Sequence, residues 1–324
     1  MRTERWLKRC ILALVTSATI VACIGILQFV LGIYQTGAWL DTAYFSDISG
    51  RVVSLFDNPN ILGFYLVMIL PFALTLLTRA TTRQQKLLCL FSILSIIACI
   101  VLTWSRGAWL AAIVCIFLFL LICSKKTLRW ILVACCAIPF LSFFIPQSVV
   151  RRFSSIGNIA DSSTMYRIYT WKGSFGILKD SWVGGIGYGP SAFQEIYPQY
   201  AYAGIEAATH SHNLFLQILL GTGIGGLLIF LAVLLLAAQM NFEYLKNSTD
   251  KNSKMIITAT VCSITAALIM GLFDYIWYNY RIFFLFWAVL ALGCACVRVG
   301  NNESRRHQFN TISGQDIAST DIEL

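Results

Sequence analysis

The sequence predicts an all-α, polytopic membrane protein with about eight transmembrane helices and one large extracytoplasmic loop. Three observations predict it. Hydrophobic residues are 58% of the 324-residue chain and the mean hydropathy is +0.73, far above a soluble globule. Apolar stretches recur along the chain, most of them near the roughly 17–25 residues that a helix needs to cross a bilayer. Lys and Arg concentrate in alternate connecting segments.

The first apolar stretch, 10–33, follows Arg2, Arg5, Lys8 and Arg9. It is too long for a signal-peptide core and lacks a clean small-residue cleavage site, so it reads as an uncleaved anchor. Stretches at 61–78, 87–104, 108–123 and 130–145 follow, then a polar loop at 146–211. Within that loop Met165–Leu178 has helical periodicity and is expected to lie on the membrane surface. Gly184 to Pro190 carries four glycines in six residues and predicts a tight turn. Tyr197, Tyr200 and Tyr202 suit an interface belt or a sugar-stacking surface. Apolar stretches at 212–240, 255–273 and 282–297 complete a membrane domain over residues 1–297, and residues 298–324 read as a disordered cytoplasmic tail. No internal repeat and no second soluble domain is found.

With the N-terminus in the cytoplasm, the inner segments hold 16 of 24 basic residues, and the short outer loops hold only Arg51, Arg106 and Arg281. Both termini are therefore expected inside and 146–211 outside. Acidic residues divide eight outside to seven inside, so the whole net charge of +9 falls on the inner face. The basic pI of about 9.0 thus reports topology and contact with anionic membrane lipids, not nucleic acid. All eleven cysteines fall in or at the ends of apolar stretches, which argues against a disulfide framework or a Cys-x-x-Cys metal site.

The chemistry concentrates in few residues. His210 and His212 sit where the long loop meets an apolar helix, and His212 can exchange a proton near neutral pH. His212 reads as a general base; a helix cap or half of a metal pair with His210 are the other readings. Asn213 reads as a cap for the next helix. Arg106, in a minimal loop close to hydrocarbon, is a functional candidate by default, with a snorkelling helix-end arginine as the other reading. Arg167 reads as a second phosphate ligand or as a solvated surface charge. Arg151 and Arg152 read as lipid headgroup contacts. Guanidinium grips phosphate oxygens bidentately, so a pair of such arginines suits a diphosphate. Gly221, Gly223, Gly225 and Gly226 predict close packing or a local helix break.

Four stretches in order carry a family resemblance. They are Phe56-Asp57-Asn58-Pro59-Asn60, Ser105-Arg106-Gly107, Arg167-x-x-x-Trp171 followed by Gly185-Ile186-Gly187-Tyr188-Gly189, and His212-Asn213-x9-Gly223-x-x-Gly226. Over residues 50–295 the chain resembles the O-antigen ligase and polymerase superfamily of membrane glycosyltransferases. The resemblance implies a GT-C-like fold in the plasma (inner) membrane and a role in cell-surface polysaccharide biosynthesis. It implies transfer of a glycan from a polyprenyl-diphosphate carrier to a glycan, lipid or protein acceptor, by inversion, without metal or other cofactor. By motif, His212 matches the catalytic histidine, and Arg106 and Arg167 match the diphosphate-binding arginines. His210, Asn213, Asn60 and Trp171 are expected in support around them. Family members usually carry several more helices before the Asn58-Pro59-Asn60 segment. Only one precedes it here, so the resemblance implies a form shortened in its N-terminal half.

Ligase-type transfer is the preferred reading and polymerisation the alternative within the family. A small-anion transporter would favour ionisable groups at helix centres, which are nearly absent here. An inactive membrane scaffold is the remaining reading from another class.

Overall fold

The computed structural model describes residues 3–33, 50–123, 146–155 and 161–320, with side chains as far as residue 302. Ten helices occur among them. They are α1 (Glu4–Val30), α2 (Pro59–Arg79), α3 (Arg83–Leu102), α4 (Arg106–Cys123), α5 (Gln147–Ser154), α6 (Ser162–Ser181), α7 (Pro190–Ile196), α8 (Leu214–Asn247), α9 (Lys251–Gly271) and α10 (Tyr280–Thr320). Short 3-10 turns lie at Tyr197–Gln199 and Ile276–Tyr278. Seven of the helices, α1–α4, α8, α9 and the 280–302 part of α10, are long and apolar enough to cross a membrane. The protein is an all-α polytopic membrane protein. The expected apolar stretch at 130–145 lies outside the described residues.

Side-chain caps start several helices. Asn58 accepts from the Asn60 amide (2.8 Å) with Pro59 at the first helical position, and Thr82 and Gln85 form a capping box before α3. Asp161 caps α6 through the amides of Ser163 and Thr164 (2.9 and 3.2 Å), and Asn213 caps α8 through that of Leu216 (2.9 Å). Each such cap is worth about 1 kcal/mol.

Successive spans run up and down. At one end Arg79 meets Glu4 (3.1 Å) and the Cys123 thiol meets the Met255 sulfur (3.6 Å). At the other, here the loop end, Gln28 bonds Ser54 (3.0 Å), the Val52 amide bonds Leu102 (3.3 Å) and Arg281 reaches the Leu55 carbonyl (3.1 Å). The segments 146–155 and 161–213 all gather at the loop end. Arg79, Arg83, Lys246, Lys251 and Lys254 stand at the opposite end, as the charge pattern requires of one face.

α2 and α9 form the centre of the bundle and are the most buried spans; α3 lies at its edge. Lipid offers these helices no hydrophobic drive to associate, so close packing and interhelical hydrogen bonds must hold them. Ser263 Oγ donates to the Met68 carbonyl (2.7 Å) and Thr75 Oγ1 to that of Met255 (3.1 Å), each worth about 0.6–1 kcal/mol.

α8 is broken at Gly223 (φ 67°, ψ −174°). The rings of Phe215 and Phe230 stand 6.2 Å apart, although a straight helix would separate them by roughly 22 Å along its axis. Residues 214–222 therefore form a short helix folded back beside the lipid-facing 224–247 segment. The Gly184–Gly189 turn docks into the break. Ile186 N–H donates to the Leu220 carbonyl (2.7 Å), and Ile224 N–H donates to that of Trp182 (2.9 Å). These bonds occupy backbone groups freed by the break, which could not be left bare at membrane depth. A Cβ on Gly223 would strike the Val183 carbonyl, and one on Gly185 would come within 2.7 Å of the Gly223 nitrogen. The glycine turn and the helical glycine thus form one joint.

The end of the chain departs from expectation. Residues 298–324 read as a disordered tail, but α10 continues to Thr320. No proline and only Gly300 and Gly314 interrupt that stretch, and neither ends the helix.

Candidate functional site

The N-termini of α2, α4, α6 and α8 converge at the loop end, and each brings a polar residue expected from sequence. Asn60 lies in the first turn of α2, Arg106 opens α4, Arg167 lies in the second turn of α6, and His212 precedes α8 by two residues. The positive ends of helix dipoles meeting at one place favour an anion there.

His212 is held in a left-handed backbone conformation (φ 50°), which costs a non-glycine residue about 1–3 kcal/mol. Its amide donates to His210 Nδ1 (3.3 Å), and its ring stands edge-on to Tyr166 at 5.6 Å. Its Nδ1 lies 3.1 Å from Asp274 Oδ1. Asp274 sits in the turn between α9 and α10 and was not singled out from sequence. Its other oxygen accepts from Asn60 Nδ2 (3.0 Å), and Asn60 Oδ1 accepts from Arg51 (2.8 Å), whose Nε donates to the Thr103 carbonyl (2.7 Å). The Tyr275 amide adds a further donor to Asp274 (2.9 Å). Burial alone would raise the Asp274 carboxyl. The His212 hydrogen bond and the charges of His212, Arg167 and His210 outweigh it and hold the group well below the usual carboxylate range. An ionised carboxylate at Nδ1 places the proton of neutral imidazole there and leaves Nε2 free to accept one.

His210 is buried, stacks on Tyr278 (5.0 Å, 18°) and lies 4.2 Å from the His212 ring. Burial, then the neighbouring His212, lowers its pKa to about 4. It is thus a neutral support, with Nδ1 turned to the His212 backbone. Asn213 caps α8 and also donates to the Leu272 carbonyl (2.9 Å), tying the base to the α9–α10 turn. Trp171 lies one turn beyond Arg167, its indole nitrogen buried without a partner.

The arginines differ in what holds them. Arg106 is engaged by Asp161 (2.7 and 3.2 Å) and by the carbonyl and hydroxyl of Ser155 (2.9 and 3.0 Å). Arg152 was expected at lipid headgroups. It is instead buried, donates to the Trp104 carbonyl (3.3 Å) and stands 4.0 Å from Asp161. Adjacent Arg151 is exposed, because helix geometry turns only one of two neighbours inward. Burial, then Arg106, lowers the Arg152 pKa to about 10. Arg167 donates through one terminal nitrogen to Ser163 Oγ (2.7 Å), but its Nε is buried with no partner. Arg51 is pushed down by burial and then by Arg152, Arg167 and Arg106. Four guanidiniums therefore act on one another across two carboxylates, Asp161 and Asp274. Guanidiniums gathered where helix N-termini converge suit an anionic ligand.

His210, His212 and Asp274 can bring one ligand atom each within 4.8 Å of one another, close enough to share a metal ion. The surrounding arginines oppose a dication at that place, and Asp274 already faces three partners, His212, Asn60 and the Tyr275 amide.

Residues 89–231 match the family described as O-antigen ligase. The match covers a little under half of the chain. It spans Arg106, Arg167, Trp171, His210, His212, Asn213 and Gly223, and stops short of Asp274. No curated protein matches the sequence.

Proposed function

We propose that the protein is a glycosyltransferase that moves a glycan from a polyprenyl-diphosphate carrier to an acceptor hydroxyl, in ligase fashion, on the outer face of the plasma membrane. The observation that carries this reading is the His212–Asp274 pair set beside Arg106 and Arg167, the Nε of Arg167 being buried with no partner. The gathering of basic residues at the far end supports cytoplasmic termini and an outward site.

The step is a single displacement. The acceptor oxygen bonds to the anomeric carbon from the face opposite the diphosphate. As that bond forms, the bond from carbon to the diphosphate oxygen breaks, and its electron pair leaves with the carrier. His212 Nε2 takes the hydroxyl proton, and Asp274 stabilises the imidazolium. Arg167, with its open Nε, receives a phosphate oxygen as charge grows there; a donor so placed is worth about 3–4 kcal/mol of barrier. Asp274 is committed to His212, Asn60 and the Tyr275 amide. It is therefore not free to act as a nucleophile, which favours inversion without a covalent intermediate.

Purified protein with a fluorescent polyprenyl-diphosphate glycan tests the reading. Glycan leaving the carrier only when a separate acceptor is present supports it. A lengthening lipid-linked ladder from donor alone would make the protein a polymerase, and no transfer to any acceptor would overturn the enzyme reading. Loss of wild-type activity with chelators would replace the metal-free mechanism.

A further inference from the structure

We propose that the groove between α6 and residues 199–202 is a saccharide subsite for an acidic glycan, set apart from the reacting centre and resting on the transfer reading above. The groove has a volume of about 460 Å³ and is lined by Lys172, Phe175, Lys179, Gln199, Tyr200 and Tyr202.

Its shape comes from the sequence of α6. Gly173 and Gly176 leave bare helix surface, over which the 197–202 segment lies. A Cβ at Gly173 would come within 2.9 Å of the Tyr197 ring and of the Tyr200 carbonyl, and one at Gly176 within 3.0 Å of the Tyr200 ring. The Tyr200 hydroxyl donates to Asp180 (2.8 Å) and fixes the wall. Tyr169 and Tyr202 pack at 5.2 Å, and the Lys172 ammonium stands 4.9 Å and 6.0 Å from their ring centres.

The charge is unbalanced. The nearby carboxylate of Asp180 is held by Tyr200, and among the described residues neither Lys172 nor Lys179 has a carboxylate within salt-bridge distance. Seven residues, two helical turns, separate the lysines, so both face the groove about 10 Å apart along the axis. Exposed Phe175 offers an apolar face, and Tyr200, Tyr202 and Gln199 offer hydrogen-bonding edges. Aromatic faces with polar edges and two spaced cations match a chain of sugars bearing carboxylate or phosphate. A concave, half-polar groove walled by polypeptide fits such a chain better than the flat headgroup surface of a bilayer. Arg167, of the diphosphate site, is on the same helix, about 8 to 18 Å from the two lysines along its axis. The lysines also stand about 120–140° around the helix from Arg167, so a glycan that engages both must pass around α6.

The test uses the full chain carrying His212→Ala in detergent, with oligogalacturonate as the acidic probe and a dextran oligosaccharide as the neutral one. The acidic probe should bind, dextran at least tenfold more weakly. Adding Lys172→Ala with Lys179→Ala should weaken the acidic probe at least tenfold, while the paired Arg substitutions retain it. Unchanged affinity in the double alanine variant, equal binding of both probes, or no binding of either overturns the proposal. So does a loss confined to phosphatidylglycerol vesicles, which would make this face a membrane contact. Because the variant cannot turn over, the result is independent of catalysis. Lysine-dependent binding in a protein that never transfers glycan would sink the transfer reading and leave the subsite. Transfer by wild-type protein without lysine-dependent binding would sink the subsite alone.

Discussion

The bundle and the loop segment 161–213 each supply half of the site, and the halves are built differently. The bundle half is closed. Arg51, Asn60 and Asp274 form a continuous chain of hydrogen bonds that ends on His212. The loop half is open. Buried atoms without partners occur on both sides, including the indole nitrogens of Trp104, Trp171 and Trp277, but Arg167 Nε is the only charged group among them in the described residues. A closed network fixes geometry before anything binds, whereas a buried guanidinium nitrogen without a partner waits for an anion. Under the proposed function the bundle orients the base and the loop receives the diphosphate.

The largest effect should come from the junction of the halves. His212→Ala removes the base and should lower the transfer rate about 100- to 10,000-fold while donor binding persists. Asp274→Asn should approach the same loss, because an amide neither stabilises the imidazolium nor fixes its tautomer. Single-turnover rates beside donor-binding isotherms check both. Near-normal turnover in His212→Ala would end the assignment of the base.

The arginines sharpen the contrast. Arg167→Lys keeps the charge but loses the planar fork, so donor affinity should fall about tenfold or more with the melting temperature unchanged. Arg106→Lys must also break the Asp161 and Ser155 contacts. It should lower both activity and thermal stability, by about 1.5–3 kcal/mol, since Arg152 and the Ser163 and Thr164 amides still hold Asp161. Equal thermal shifts in the two variants would erase the distinction between a ligand-binding and a segment-holding arginine.

These roles were unevenly legible. The spans were readable because lipid imposes length and composition: the 61–78 stretch became α2 (Pro59–Arg79), and the 108–123 stretch became α4 (Arg106–Cys123). His212 and Arg106 stood out as ionisable groups beside apolar runs and Arg167 by its motif, and the structure gathers them at one end. Asp274 did not, since its meaning lies in contacts across 62 and 214 residues of sequence, to His212 and Asn60. A carboxylate between Phe273 and Tyr275, in a short turn between apolar spans, was the available signal. Arg152 was misread for a related reason: a basic doublet after a proline looks alike whether it meets headgroups or a buried Asp161. The fold-back of α8 was only half visible, because the glycines marked a break while its partner turn lay about 35 residues away.

A smaller effect probes the far end of the closed network. Asn60→Ala removes one of three donors to Asp274 and loosens Arg51, leaving the His212 contact in place. The rate should fall about tenfold, the size of effect known for partners one step behind a working ligand. Its pH–rate profile should shift along with the rate, because Asn60 acts through the charge and orientation of Asp274. A rate loss with an unchanged profile would make Asn60 merely structural.

The smallest expected effect separates His210 from its neighbour. Its pKa is lowered to about 4 from an ordinary 6.5, so between those values the unfolded chain binds the proton and the folded one does not. Stability from this group is therefore complete above pH 6.5 and declines as the pH falls toward 4, by at most about 3.4 kcal/mol. Protonation would also remove Nδ1 as the acceptor for the His212 amide and place a cation beside His212 and Arg167. His210→Phe preserves the ring against Tyr278 but cannot take up a proton. At pH 7.5 the variant should be about 1 kcal/mol less stable and a few-fold slower, through the lost bond to the His212 amide. On acidification to pH 4.5 it should lose less stability than the wild type, and the two melting curves should converge or cross. Parallel pH dependence of the two proteins would mean that His210 is not held neutral.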